Sequence, residues 1–433
     1  MKNQKGFSKI STLILVIAVV LVLGGAGYFG LREDTDLNDK NDKEYTSFLK
    51  IFSNKIDNST PIKLEPRTVA FADGSEATYE LASQFDLAVA AEGLGKARFI
   101  AMSPDKRLFI PDMVDWNLSR EGRIIILEDF DAETRKFKSK SVYLSGLRGS
   151  NSVEFYTDRA GKSWIYVALT EKLIRYLYSP GDKAPTTKPE LVTLFPNKQN
   201  PTALGIVWHV TRTILFQEDV LYVSVGSGCN VCEEAEGDKR AMIIAMDPDG
   251  KNQRVYANGL KNAVGIAWAQ GALYATENGA DHLGADLPDD VMYKLAEGEN
   301  YGWPYCYESG GKKHEELSWN WKREPISCEN VPLSFASFGP HTAPLGITYF
   351  ENAHPLINKT FLVAQHGSHK VEIRNGYNIL RVTLDGKQDV FMKGFLGEGD
   401  KRFGRPVHVF QYDENSFFFT DDFSGRLYYV YAK

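Results

Sequence analysis

Little in this sequence speaks for nucleic acid, zinc or helices. The net charge is −6, from 50 Lys and Arg against 56 Asp and Glu. No segment gathers the basic face that phosphate binding requires, so no nucleic-acid partner is expected. Only four cysteines occur: Cys229, Cys232, Cys306 and Cys328. One Cys-x-x-Cys plus two widely spaced cysteines is a weak match to the four converging ligands of structural zinc. In an exported chain an even count reads as disulfides, with Cys229–Cys232 and Cys306–Cys328 as the preferred pairs. No cytochrome motif is present, since Cys232 is followed by Glu233 rather than histidine. Beyond the N-terminal part, no stretch of about ten residues carries a convincing helical period.

What the chain does have is aromatic residues and alternation. Aromatics make up 12% of it, with 21 Tyr and 25 Phe. Half-buried pleated surfaces accept such side chains readily, which favours β-structure. The 433 residues suffice for two or three ordinary domains or one large repeat architecture.

The N-terminal segment stands apart. Ile10 to Gly30 is an uncharged run of 21 residues, which as a helix spans roughly 30 Å, about the thickness of bilayer hydrocarbon. Lys2, Lys5 and Lys9 precede it, and Glu33, Asp34 and Asp36 follow. The positive-inside rule puts the N-terminus in the cytoplasm and the rest outside the cell membrane. A cleaved signal peptide is the alternative, but the run is long and neither an A-x-A site nor a lipobox cysteine follows. The opening also resembles a type IV prepilin leader, with Gly6–Phe7 at the processing position and Ser11 where that family has glutamate. The expected organisation is therefore a basic cytoplasmic segment (1–9), a transmembrane anchor (10–30), a flexible tether (31–65) and one globular domain (66–433).

Within that domain one pattern recurs six times: an alternating apolar strand, a polar turn, then a strand rich in Tyr, Phe and Val. The copies begin near Phe99, Ser152, Thr213, Val264, Leu345 and Val407, at intervals of 53, 61, 51, 81 and 62 residues. Each reads as a hairpin. Hairpin units at a period of roughly 40 to 60 residues are the signature of a propeller. The fold expected is all-β: a six-bladed β-propeller preceded by a single transmembrane helix. Closure should pair Phe85–Ala91 with the C-terminal strand Leu427–Tyr431.

Two segments could carry chemistry. His209 sits four residues before the third repeat, near the inner end of a blade, where an imidazole could act as a general base; a packing histidine is the plainer reading. The loop after the strand LYAT contains Glu277, Asn278, Gly279, Asp281, Gly284, Asp286, Asp289 and Asp290. Carboxylates, an amide and freed carbonyls together suit a hard cation such as Ca²⁺, although the spacing is not that of an EF-hand. An acidic surface loop has the same composition.

In order along the chain stand His209–Thr213, LYVSVGS (Leu221–Ser227), CNVC (Cys229–Cys232), GLKN (Gly259–Asn262), ENG…LGADLPD (Glu277–Asp289) and YGWP (Tyr301–Pro304). HTAPLGITYF, FLVAQHGS and GRPV (Gly404–Val407) follow. This succession resembles the glucose/sorbosone dehydrogenase family, propellers that use pyrroloquinoline quinone (PQQ), and is nearest to its sorbosone dehydrogenase branch. The resemblance runs over roughly residues 80–433.

It implies that His209 takes a hydroxyl proton from the substrate as hydride passes to the quinone. It implies Ca²⁺ bound by the Asn278 side chain and the Gly279 and Ala280 carbonyls, with Asp289 nearby. It places Lys261, Asn262 and Arg405 at the cofactor, with Arg402, Gln365 and His366 as further cofactor-facing candidates. Two departures stand out. Lys261 replaces the family's arginine, keeping charge but losing the planar fork. Val210 stands where many relatives carry a second histidine. The implied activity is extracytoplasmic oxidation of a sugar or sugar-derived aldehyde, with electrons leaving to a separate acceptor, a membrane quinone or cytochrome. A non-catalytic binding propeller is the alternative. A Ca²⁺-dependent lactonase is disfavoured, because it needs carboxylates from several blades and these are concentrated in one loop.

Overall fold

Alternation of buried and exposed side chains builds four-stranded antiparallel sheets along the chain. In the second, Ser152–Thr157, Ser163–Ala168, Lys172–Leu177 and Glu190–Leu194 follow one another as neighbours. The computed structural model describes residues 57–116, 119–196, 208–235, 237–317, 327–370 and 372–433. The expected cytoplasmic segment, membrane anchor and most of the tether lie outside these residues. Among the described residues no helix is long and apolar enough to cross a membrane.

Six sheets form the blades of a β-propeller; four have four strands, the third gains Glu299–Asn300 parallel to Arg254–Asn258, and the fifth has six strands. Their innermost strands are Ala101–Met102, Ser152–Thr157, Arg212–Gln217, Ala263–Ala269, Pro344–Phe350 and Pro406–Gln411. All six lie within two residues of the expected repeat starts. The ring closes as expected: Arg426–Ala432 pairs with Phe85–Ala91, from Leu427 opposite Ala91 to Ala432 opposite Phe85. The last blade thus holds three strands from the C-terminal end and one from the N-terminal side.

One boundary differs from expectation. Residues 57–65 are not simply tether. Leu64–Ala70 and Glu76–Ala82 form a hairpin that joins the outer edge of the fifth blade. Val69, Ala77, Tyr79 and Leu81 bury its inner face. The hairpin lies outside the six-fold repeat, so periodicity alone did not reveal it. The long interval after the fourth copy also holds structure: a short hairpin, Cys306–Ser309 with Lys312–Glu315. A disulfide joins Cys306 to Cys328, and another joins Cys229 to Cys232. Both expected pairs are present.

The inner strands approach closely at the waist of the channel. A Cβ added to Gly265 would lie 2.1 Å from the Leu345 carbonyl oxygen, so only glycine fits there. Buried Phe99, Val264, Leu345 and Val407 fill this level. They divide the channel into two mouths, one at the N-terminal ends of the inner strands and one at the C-terminal ends.

A buried polar network ties the blades together just above the waist. Asp422, in the last blade, accepts from the Arg98 guanidinium at 2.6 Å and lies 2.6 Å from Nε2 of His366, in the fifth. Arg98 Nε donates to Asn151 Oδ1 at 2.9 Å, and the Asn151 amide donates to the Arg212 carbonyl at 3.2 Å. Such charges are tolerated inside because each finds a partner.

Candidate active site at the channel mouth

His209 enters the site from the segment just before the third inner strand. Its backbone is left-handed, with φ of 42°, an uncommon conformation for a non-glycine residue. Arg212 anchors it by donating to the His209 carbonyl at 2.7 Å. The ring is held on both sides. Nδ1 lies 2.9 Å from the Ser227 carbonyl and 2.8 Å from Ser227 Oγ. Ser227 Oγ–H itself donates to the Cys229 carbonyl at 2.7 Å, so its lone pairs face the imidazole. Two acceptors at Nδ1 place the ring proton there and leave Nε2 as the acceptor nitrogen. Lys261 Nζ lies 3.3 Å from that nitrogen. Burial first, and the Lys261 charge second, hold the imidazole pKa well below its ordinary 6.5. The histidine is therefore neutral across the physiological range, as a general base must be.

Lys261 and Asn262 lie on the turn leading into the fourth inner strand. The Lys261 carbonyl accepts from the Ser227 amide at 2.7 Å, coupling this turn to the histidine's support. The Asn262 amide donates to Glu277 Oε1 at 3.0 Å. Glu277 is buried, and burial pushes its pKa up to about 8. Asn278 follows it. Its side-chain nitrogen donates to the Pro344 carbonyl at 3.0 Å and reaches the Asn262 carbonyl at 3.5 Å. With both hydrogens so used, Oδ1 is the free acceptor.

The two neighbouring aspartates divide their work. Asp290 accepts from the Gly279 amide at 2.7 Å and from the Ala343 amide at 2.8 Å. It is buried, and burial lifts its pKa to about 6. Asp289 instead accepts from Ser337 Oγ at 2.8 Å and the Gly310 amide at 3.1 Å. Both bonds fall on Oδ2. Of the two, Asp290 lines the mouth and braces the Gly279–Ala280 segment, and Asp289 does not line it. A register shift between Asp290 and Val291 interrupts the alternation, so parity could not assign the two.

On the opposite side, Arg405 Nε donates to the His366 carbonyl at 3.0 Å, and its Nη2 donates to the Gly367 carbonyl. The His366 ring points into the buried Asp422 network, where burial lowers its pKa to about 4. Gln365 and His366 do not line the mouth; Gly367, Ser368 and His369 do. Arg402 also stands one layer back, donating to the His369 carbonyl at 3.2 Å. In a strand end followed by a turn, sequence spacing does not say which residue faces inward.

The mouth is a cavity of about 210 Å³ lined by Trp208, His209, Lys261, Asn262, Asn278, Gly279, Asp281, Asp290, His341, Ala343, Gly367, Ser368, His369 and Arg405. Of the expected site residues it gathers His209, Lys261, Asn262, Asn278, Gly279 and Arg405. Sequence reasoning missed Ser227 and His341, and named Asp290 only as one acid of the loop. The SVGS run did carry a signal for Ser227, since a hydroxyl at a strand end beside a histidine is a natural acceptor.

Residues 79–433 match the family described as TrAA12-like. The chain belongs to that family. Its solved relatives in shape bear out the propeller. This TrAA12-like chain superposes on the holo form of the pyranose dehydrogenase PQQ domain of Coprinopsis cinerea with a TM-score of 0.64, at 18% identity, covering 82% of this chain and 97% of that one. The calcium structure of the Trichoderma reesei AA12 enzyme gives 0.66 at 19% identity, covering 82% and 96%. The PQQ-bound aldose sugar dehydrogenase of Streptomyces coelicolor gives 0.55 at 20% identity, covering 82% and 100%. An uncharacterized protein of Borreliella burgdorferi is 29% identical over 290 residues, 64% of this chain and 73% of that protein.

Proposed function

We propose that the TrAA12-like protein is an extracytoplasmic, membrane-anchored oxidoreductase that oxidises a sugar or sugar-derived aldehyde with PQQ and Ca²⁺. The observation that carries the reading is the contact of His209 Nε2 with Lys261 Nζ, 3.3 Å apart in a mouth that also holds Arg405. A neutral base and two cations facing one cavity suit an alcohol beside a polycarboxylate.

The donor set fits both groups. Lys261 and Arg405 would hold the carboxylates of PQQ, with Asn262 beside them. Arg405 spends two of its nitrogens on backbone carbonyls, so Lys261 offers the freer charge. Asn278 Oδ1 and the Gly279 and Ala280 carbonyls would hold Ca²⁺, hard oxygen ligands for a hard cation. When bound, the quinone supplies a two-electron acceptor and Ca²⁺ a Lewis acid.

The chain's own residues do the rest. Ser227 fixes the proton on Nδ1, so Nε2 is the atom that takes the substrate hydroxyl proton. An anion beside Lys261 draws the ammonium off Nε2 and frees that lone pair. The Phe99–Val407 layer closes the floor and limits water from below. Sorbosone-type substrates fit this reading within the wider class of sugars. With no cytochrome motif in the chain, electrons leave to a separate acceptor, a membrane quinone or cytochrome. Residues 10–30 would provide the anchor, and the two disulfides support an oxidising compartment.

The test is reconstitution of the full-length protein with PQQ and Ca²⁺. The expected result is retained quinone absorbance and sugar-dependent dye reduction. His209→Ala should lower turnover by about a hundredfold or more, as loss of general-base catalysis does, while keeping the quinone absorbance. Protein that retains no quinone, or a His209→Ala variant of undiminished turnover, sinks the reading.

A further inference from the structure

The second mouth of the channel has chemistry of its own. It opens at the C-terminal ends of the inner strands, beyond the layer of Phe99, Val264, Leu345 and Val407. The cavity measures about 430 Å³ and shares no residue with the mouth that holds His209. At corresponding positions of the six inner strands stand Ala101, Glu154, Leu215, Ala267, Thr348 and Phe410. Five of these are small, apolar or a threonine, whose hydroxyl is already committed to the Val409 carbonyl. The sixth is a carboxylate.

Among the described residues Glu154 makes no ion pair. Among the residues lining the cavity there is no lysine or arginine. The other titratable groups facing it are His408 and Tyr349. His408 Nδ1 accepts from the Ile100 amide at 3.1 Å, its ring stacks on Phe99 at 4.6 Å, and burial lowers its pKa to about 3, so it stays neutral. The Tyr349 hydroxyl is engaged by Gln270 at 2.9 Å. Trp268, Tyr349 and Phe410 line the same space as the carboxylate. Burial without a compensating cation pushes the Glu154 pKa up to about 8. A half-buried acid in an aromatic-walled cavity is costly to keep as an anion, and an incoming cation removes that cost. The ring faces attract the same ligand, because their quadrupoles favour positive charge.

We infer that this second mouth is a binding site for a small organic ammonium ion, its –NH₃⁺ on Glu154 and its hydrocarbon body against Trp268, Tyr349 and Phe410. A primary ammonium suits the site better than a divalent metal ion, since the wall offers a single carboxylate. Binding moves one proton: Glu154 passes from –COOH to –COO⁻ and releases H⁺ to solvent as the ammonium docks. The inference is independent of PQQ and of the chemistry at His209.

The test is calorimetry on the full-length protein at pH 7 with cyclohexylammonium, and with cyclohexanol as its neutral counterpart. The ammonium should bind at least about tenfold more tightly than the alcohol, the scale of one hydrogen bond to a charged group. Heats measured in phosphate and in Tris should differ by the release of up to one proton per ligand. Glu154→Gln should abolish the charge preference and the proton release. It should leave any sugar-dependent dye reduction unchanged, because it touches nothing at the other mouth. Glu154→Asp keeps a carboxylate and should retain part of the preference, which guards against a mere folding defect. Equal affinity for ammonium and alcohol, no binding of either, or unchanged ammonium affinity in Glu154→Gln each overturns the inference.

Discussion

Ser227 holds His209 by two atoms at once, its carbonyl at 2.9 Å and its hydroxyl oxygen at 2.8 Å from Nδ1. The hydroxyl can accept because its own proton goes to the Cys229 carbonyl. Cys229 in turn is tied to Cys232. The tautomer of His209 therefore depends on a short loop clamped by a disulfide.

Ser227→Ala should remove one of these two acceptors and keep the other. Loss of one hydrogen bond of this kind is worth about 1 kcal/mol, or roughly fivefold to tenfold in rate. The expected outcome is a fall in kcat of that size with KM little changed, and an acid limb that still lies below pH 6.5. That limb follows from the depressed pKa of His209, since a base with a lowered pKa stays deprotonated further into acid. Steady-state kinetics between pH 5 and pH 8 checks it. An acid limb at or above the ordinary histidine value would contradict the burial argument. Gly226→Ala is the harsher change, because its Cβ would stand 2.6 Å from the His209 Cβ and 2.8 Å from Asn262 Oδ1.

Asp289 and Asp290 give a contrast between adjacent residues. Asp290 holds the Gly279 and Ala343 amides, so Asp290→Asn leaves one of those buried donors facing an amide N–H. Among the described residues Asp289 accepts from Ser337 and Gly310. Asp290→Asn should weaken Ca²⁺ binding by about tenfold or more, the scale of 1–3 kcal/mol for an unsatisfied buried group. Asp289→Asn should change it by less than about threefold. Calcium titrations of the two variants, followed by calorimetry, decide between them.

The fold was more legible than the site. Six hairpins at regular spacing announce six blades, and the pairing of Phe85–Ala91 with the C-terminal strand follows from the need to close a ring. The Leu64–Ala70 hairpin escaped because it adds to a blade edge, where no repeat demands it. Within the site, His209, Lys261 and Asn278 precede or follow strands whose ends the alternation marks. Asp290 hid behind a register shift, and His366 lay in a turn, where one residue's difference decides between channel and interior. Side-chain direction at strand ends is set by contacts between blades, which a single pattern does not contain.

The Asp422 network should matter chiefly to stability. Asp422→Ala would leave the Arg98 guanidinium buried without its carboxylate, and His366 without its partner. Breaking a buried pair from one side typically costs about 3–5 kcal/mol. Chemical denaturation should show a loss of that order. The pH dependence adds a check. His366 and Asp422 are both held below their ordinary values. Groups so depressed lend stability above their unfolded pKa and lose it on acidification. The wild-type protein should therefore lose part of its stability through His366 as pH falls from 6.5 toward 4, and the variant, lacking the carboxylate that raises the His366 pKa, should lose at least as much over that range.

Glu154 predicts the opposite slope. Its folded pKa is raised to about 8 from an ordinary 4.5. Between those values the folded chain keeps a proton that the unfolded chain gives up. Stability therefore falls as pH rises through this window, because the unfolded state binds fewer protons than the native one. Glu154→Gln is neutral at every pH and removes the term. Near pH 4.5 the variant and the wild type should melt at similar temperatures. By pH 8 to 9 the variant should melt higher, and the gap should open mainly between pH 5 and pH 8. Cyclohexylammonium should narrow that gap by raising only the wild type, since it stabilises the charged carboxylate that the variant lacks. Thermal melts across this pH range, with and without the ligand, test both points. A gap that is constant with pH would show that the Glu154 carboxyl titrates alike in the folded and unfolded chain.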